Sequence, residues 1–118
     1  MKYMLMFVGR KGGWEELSES ARQEAYGRIN EWFERNHTRI VEGNELQPDD
    51  TATTVRFDSG KPVVTAGPFL EAKESIGGYA IVEVRDLDEA LELARTWPSG
   101  ATVEVRPVVE RPASVPAG

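Results

Sequence analysis

Glu71, Lys73 and Glu74 follow directly on the corner Gly67-Pro68-Phe69. A carboxylate beside an ammonium supports acid–base chemistry when burial shifts both groups toward neutrality, whereas the same charges on an exposed turn form a solvated rim. The corner itself has a structural reading. Pro68 fixes its own φ and biases Gly67 toward extended backbone, and Phe69 then anchors the chain in a core. His37, the single histidine, titrates near neutrality and is a candidate general base. Its place at the C-terminal end of a helical pattern equally suits a surface imidazolium facing the helix dipole. Arg56 binds an anionic ligand if it faces inward and a neighbouring acid if it faces outward. Tyr79 opens an apolar strand and, with Phe69, frames an apolar pocket. The candidate ligand-binding residues are therefore His37, Arg56, Phe69, Glu71, Lys73 and Tyr79. Among the tryptophans, Trp32 and Trp97 lie on helical stripes and suit a core, while Trp14 lies in a loop and suits a pocket or a dimer contact.

Other chemistries find no support. The chain has no cysteine, which removes thiolate nucleophiles and disulfides and fits a reducing, cytoplasmic compartment. One histidine and scattered acids lack the repeated spacing of a metal site. The Gly9–Gly13 stretch lacks the fixed-spacing Gly-Lys-Ser/Thr of a phosphate loop, so no cofactor is expected. Fourteen basic against twenty acidic residues give a net charge of −6, without the basic face that nucleic acid requires. The apolar run Tyr3–Val8 is shorter than a signal-peptide core or a membrane span.

The elements that must position the candidates follow from periodicity. Tyr3–Val8 is apolar at every position, as in a strand covered on both faces. Ala21, Ala25, Ile29, Trp32 and Phe33 recur at helical spacing, predicting a helix capped by Ser18 or Ser20 and ending near Asn36. Arg39–Gly43 reads as a short strand and Asn44–Asp50 as a loop. Thr53–Phe57 and Pro62–Thr65 flank Asp58-Ser59-Gly60-Lys61 as a hairpin. Leu70–Ser75 allows a turn or two of helix, after which Gly77-Gly78 releases a strand from Tyr79 to Val84. Asp86 and Glu89 begin a second helix that Pro98 ends, and Thr102–Arg106 alternates as the last strand. This order predicts an α+β, ferredoxin-like split βαβ domain over residues 1–109, with two helices on one face of an antiparallel sheet. A flexible tail is expected over 110–118. The uncovered apolar sheet face predicts a homodimer in which two sheets stack.

The run Thr65–Glu74, TAGPFLEAKE, is followed by Ile76-Gly77-Gly78-Tyr79 and by Asp86-Leu87-Asp88-Glu89-Ala90. With Met1–Leu5, Glu45–Pro48, Thr51–Arg56 and Val103–Pro107 it resembles the YciI-related proteins of the DGPF type over nearly the whole chain. The resemblance implies a dimeric α+β barrel of ferredoxin-like subunits, with a pocket between sheet and helices or partner. It also implies, for some relatives, genes neighbouring those of extracytoplasmic-function sigma factors, and enzyme activity through a His–Asp pair. Here Ala66 replaces the Asp that precedes Gly-Pro-Phe in the family, and Tyr26 and Gly27 stand mid-helix where a histidine would be sought. The function expected is a small-molecule-binding or regulatory dimer without a complete catalytic dyad. Its alternatives are a cofactor-independent isomerase, lyase or oxygenase, and a module that contacts a partner protein.

Overall fold

The structure is a computed structural model describing residues 1–68, 73–100 and 102–111. Strand β1 (Lys2–Arg10) splits its apolar run between two faces. Tyr3, Leu5 and Phe7 are buried beneath the helices, while Met4, Met6 and Val8 point the other way and are half-buried. A four-residue helix α1 (Gly13–Glu16) leads into α2 (Glu19–Arg35). Ser18, not Ser20, caps α2: its hydroxyl accepts from the Ala21 N–H at 3.1 Å, satisfying one of the donors that a helix start leaves open.

Strand β2 (Ile40–Glu45) runs two residues beyond the predicted strand, because Asn44 and Glu45 pair with Tyr79 and Gly78. A 3₁₀ turn (Asp49–Thr51) precedes the hairpin of β3 (Thr53–Asp58) and β4 (Lys61–Ala66). Strand β5 (Glu74–Glu83) begins earlier than expected. Glu74 and Ser75, expected to be helical, pair with Arg10 and Gly9, and Gly77-Gly78 lies inside the strand, with Gly77 the extra residue of a bulge facing Phe7 and Val8. Residues 70–72 of that expected turn, and 112–118 of the expected tail, lie outside the described residues. Helix α3 (Leu87–Arg95) and strand β6 (Thr102–Pro107) complete the chain.

The main sheet has the order β2-β5-β1-β6 with every pair antiparallel. This is the predicted ferredoxin-like arrangement, with α2 and α3 on one face. Trp32, 1 % exposed, centres the core with Leu5, Val82 and Leu93, and its indole N–H donates to the Leu93 carbonyl and the Thr96 hydroxyl. Phe7 stacks on Trp97 with centroids 3.6 Å apart, and Trp32 meets Phe7, Phe33 and Trp97 edge-on.

The hairpin stands apart as its own two-stranded sheet. Ser59 and Gly60 have φ of 51° and 80°, the two positive values of a type I′ turn whose twist matches the flanking strands. At its base the Gly67 N–H donates to the Ala52 carbonyl and the Thr54 hydroxyl to the Gly67 carbonyl, both at 2.7 Å. Gly67 has φ of 97° where extended backbone was expected. The base clamp fixes it in a region that favours glycine.

Candidate functional site

The face of the sheet away from the helices carries an apolar floor with a polar rim. Register places Ile81, Met4 and Arg106 in one row across β5, β1 and β6, and Tyr79, Met6 and Glu104 in the next; Val8 and Ile76 pair beyond them. On the β2 side, Glu42 lies beside Ile81 and Asn44 beside Tyr79. A period of two puts all these side chains on one face.

Tyr79 is the hub. Its hydroxyl donates to Glu42 Oε2 at 2.8 Å and accepts from Asn44 Nδ2 at 3.0 Å. The phenol is half-buried, while the carboxylate and amide are exposed on the strand edge. A carboxylate acceptor makes the first bond charge-assisted. A hydroxyl with both its donor and one acceptor site engaged is held in a fixed orientation. Such a group beside Met4, Met6 and Ile81 offers a ligand apolar contact on its face and hydrogen bonding at its edge, the usual composition of a small-molecule site.

A second phenol–carboxylate pair lies on the helix side. Tyr26, mid-α2, donates to Glu45 Oε2 at 2.8 Å, and Trp14 meets its ring edge-on with centroids 5.0 Å apart. The hydrogen bond to Glu45, with burial and the carboxylate charge behind it, pushes the Tyr26 pKa up, so this phenol stays neutral and donating. Nearby, Arg10 pairs with Glu16, and hydrogen bond and charge together raise the guanidinium and lower the carboxylate.

The remaining candidates are spread over the molecule. His37 lies just past α2 on a shallow groove of about 420 Å³ with Asn30, Phe33, Glu34 and Ile40. Its Nδ1 lies 2.9 Å from the Glu34 carbonyl; since a carbonyl only accepts, that nitrogen carries the proton. Arg56 is exposed on the hairpin and lies cross-strand from Val63. Lys73 is exposed, and its carbonyl accepts from the Lys11 N–H at 2.8 Å. Phe69 and Glu71 lie outside the described residues. Trp14, expected in a loop, lies in the short helix α1, which brings its ring onto Tyr26 of the same chain. Sequence reasoning reached Tyr79 but not Glu42 or Asn44. The signal was their i, i+2 spacing, which becomes a shared face only once β2 extends to Glu45.

The model of the YCII-related domain matches residues 1–111. The chain belongs to this family. A chain similar to it is an uncharacterised protein of Rhizobium meliloti (strain 1021), 38 % identical over 77 residues, which are 61 % of this chain and 62 % of that one. The chain thus aligns with less than two thirds of that relative's length. Among solved structures it is similar to 5-chloro-2-hydroxyhydroquinone dehydrochlorinase from Burkholderia phenoliruptrix AC1100, in complex with 2,5-dihydroxybenzoquinone. The TM-score is 0.55 at 16 % identity, covering 94 % of this chain and 96 % of the other, which shows a shared fold. Among the described residues, no helix is long and apolar enough to cross a membrane.

Proposed function

We propose that this YCII-related protein is a homodimeric small-molecule-binding protein whose ligand lies against the open sheet face, oriented by Tyr79 and enclosed by a second copy. The observation that carries the reading is the Glu42–Tyr79–Asn44 network beside an apolar floor. Left in water, Met4, Met6, Val8, Ile76 and Ile81 form an open apolar stripe, and a facing copy is the simplest cover for it. The ligand class is a small ring bearing hydroxyl or keto oxygens: its plane rests on the thioethers and Ile81, and an oxygen at its edge meets the phenol. That the similar dehydrochlorinase holds 2,5-dihydroxybenzoquinone makes this compound the first probe.

Calorimetric titration with 2,5-dihydroxybenzoquinone and with hydroquinone, alongside sedimentation, tests the reading. Saturable binding by a dimer, weakened in Tyr79→Phe, supports it. A dimer that binds neither compound at millimolar concentration overturns the ligand class, and a monomer overturns the enclosure. A third outcome, saturable binding accompanied by a change in the compound's absorbance that tracks protein concentration, would make the protein an enzyme of the same ligand class, with Glu42 positioned to exchange a proton through Tyr79.

A further inference from the structure

Strand β6 closes one side of the sheet, so one of its two backbone edges is turned away from β1. The residues on that edge follow from the hydrogen bonding. The Val108 N–H donates to the Lys2 carbonyl at 2.9 Å, and the two kinds of antiparallel pair alternate. Arg106 and Glu104 therefore bond Met4 and Met6, while Val103, Val105 and Pro107 direct their backbone groups outward. Pro107 has no N–H to leave unpaired, which suits an edge position. Among the described residues no backbone partner meets the outward groups of Val103 and Val105. On the helix side of this edge the two valines line an unfilled groove of about 310 Å³ with Leu91, Ala94, Arg95 and Trp97.

We infer that β6 pairs antiparallel with β6 of a second copy about a two-fold axis through Val105, joining the two sheets edge to edge. The strand's own sequence selects both the occupant and the register. Facing residues of an antiparallel pair share a side, so the valines stay together on the helix side only when the axis passes through a residue. An axis at Glu104 would set Glu104 against Glu104. At Val105 it sets Glu104 of each copy against Arg106 of the other, Val105 against Val105, and Val103 against Pro107. Each Val105 N–H then donates to the other copy's Val105 carbonyl, and each Val103 N–H to the other copy's Pro107 carbonyl. Within one chain Arg106 and Glu104 pair at 2.6 Å, both exposed. Such a surface pair contributes little, and exchanging it across the axis keeps both charges matched. The opposite edge of the sheet lacks this self-complementarity. Strand β2 has a bulge between Ile40 and Glu42, and its acids Glu42 and Glu45 have no cation within the strand, features that keep a sheet edge from pairing.

This pairing uses the sheet edge and not the open face, so it is independent of the enclosure proposed above. The chain has no native cysteine, so single cysteines report without background. Under mild oxidation Val105→Cys should form a disulfide-linked pair, because residues facing on the axis hold their Cα atoms about 5.5 Å apart, within disulfide reach. Val103→Cys should stay unlinked. Linkage of both variants alike, of neither, or only of the two mixed together overturns the proposal. Glu104→Cys mixed with differently tagged Arg106→Cys gives a second reading at exposed positions if Val105→Cys folds poorly: mixed-tag pairs are expected, and their absence overturns the pairing. In Val105→Cys copies, adding Glu104→Arg or Arg106→Glu alone should cut the disulfide yield about tenfold. Mixing those two variants should restore it as mixed-tag pairs, and yields indifferent to these charges overturn the register. Sedimentation separates this inference from the enclosure. A dimer in which Val105→Cys stays unlinked removes the edge pairing and leaves the enclosure standing; Val105→Cys that links into a dimer and assembles no further supports the edge pairing and removes the enclosure.

Discussion

The Phe33 ring stands where Gly43 would carry a side chain: a Cβ built on Gly43 lies 2.6 Å from Phe33 Cε1. The contact seats α2 on β2 and brings the helix down over the sheet edge that holds Glu42 and Asn44. The ring is in turn pinned edge-on by Trp32 and Trp97, so it has little room to yield. Gly43→Ala should therefore destabilise the fold by about 1–3 kcal/mol through overpacking, measured as a shift in the urea midpoint at unchanged slope. Gly27→Ala is the control: nothing lies within 4 Å of its Cβ, and it should be neutral or stabilising.

Removing the Tyr79 hydroxyl tests the site without disturbing the core, because the group lies on the open face. Tyr79→Phe should leave stability within about 0.5 kcal/mol of the parent and weaken 2,5-dihydroxybenzoquinone binding by about five- to tenfold. Calorimetric titration of both proteins in parallel reads the difference. Unchanged affinity would remove Tyr79 from the site.

At the start of α3, the Glu89 carboxylate accepts the Arg85 N–H at 2.8 Å and pairs with Arg85 and Arg39, while the Asp86 side chain caps the Glu89 N–H. The Arg85 backbone bond first, and then the two guanidiniums, hold the Glu89 pKa below its ordinary 4.5. A carboxylate depressed in the folded state contributes stability above its unfolded pKa and loses it as pH falls through the folded value. The parent should therefore lose thermal stability between roughly pH 5 and pH 3 more steeply than Glu89→Gln, by scanning calorimetry across that range. Parallel curves would mean the ion pairs contribute nothing.

The α2 cap gives a prediction that separates two serines close in sequence. Ser18→Ala should cost about 1 kcal/mol, since it strips the acceptor from the Ala21 N–H. Ser20→Ala, already inside the helix, should change stability by less than about 0.5 kcal/mol. Chemical denaturation of the two variants reads both values.

Much of this fold was legible because local signals agreed with one another. The unbroken apolar run of β1 announced a central strand, the stripe through Ala25 and Trp32 announced α2, and Asp58-Ser59-Gly60-Lys61 announced a hairpin turn. What periodicity could not supply was pairing. Glu74 and Ser75 look helical beside Lys73, but partners on β1 draw them into β5, and Gly77-Gly78 looks like a break until the bulge at Gly77 is seen. The site was legible only in part for the same reason. Tyr79 was visible as a type and position, whereas its partners Glu42 and Asn44 sit 37 and 35 residues away in sequence and meet it only through β2–β5 register. Tyr26, noted only for not being a histidine, is joined to Glu45 by the sheet edge in the same way.

The bond from the Leu46 N–H to the Gly77 carbonyl, 2.9 Å long, ties the chain leaving β2 to the chain within β5. The hairpin of β3 and β4 lies between these two tied points, in a sheet separate from the four-stranded one. The hairpin can thus lengthen, shorten or change composition with only a slow rise in the entropy of closing the loop, while β2, β5 and the core under them keep their register. What the hairpin presents at its surface and how firmly the domain below it holds together can then vary independently.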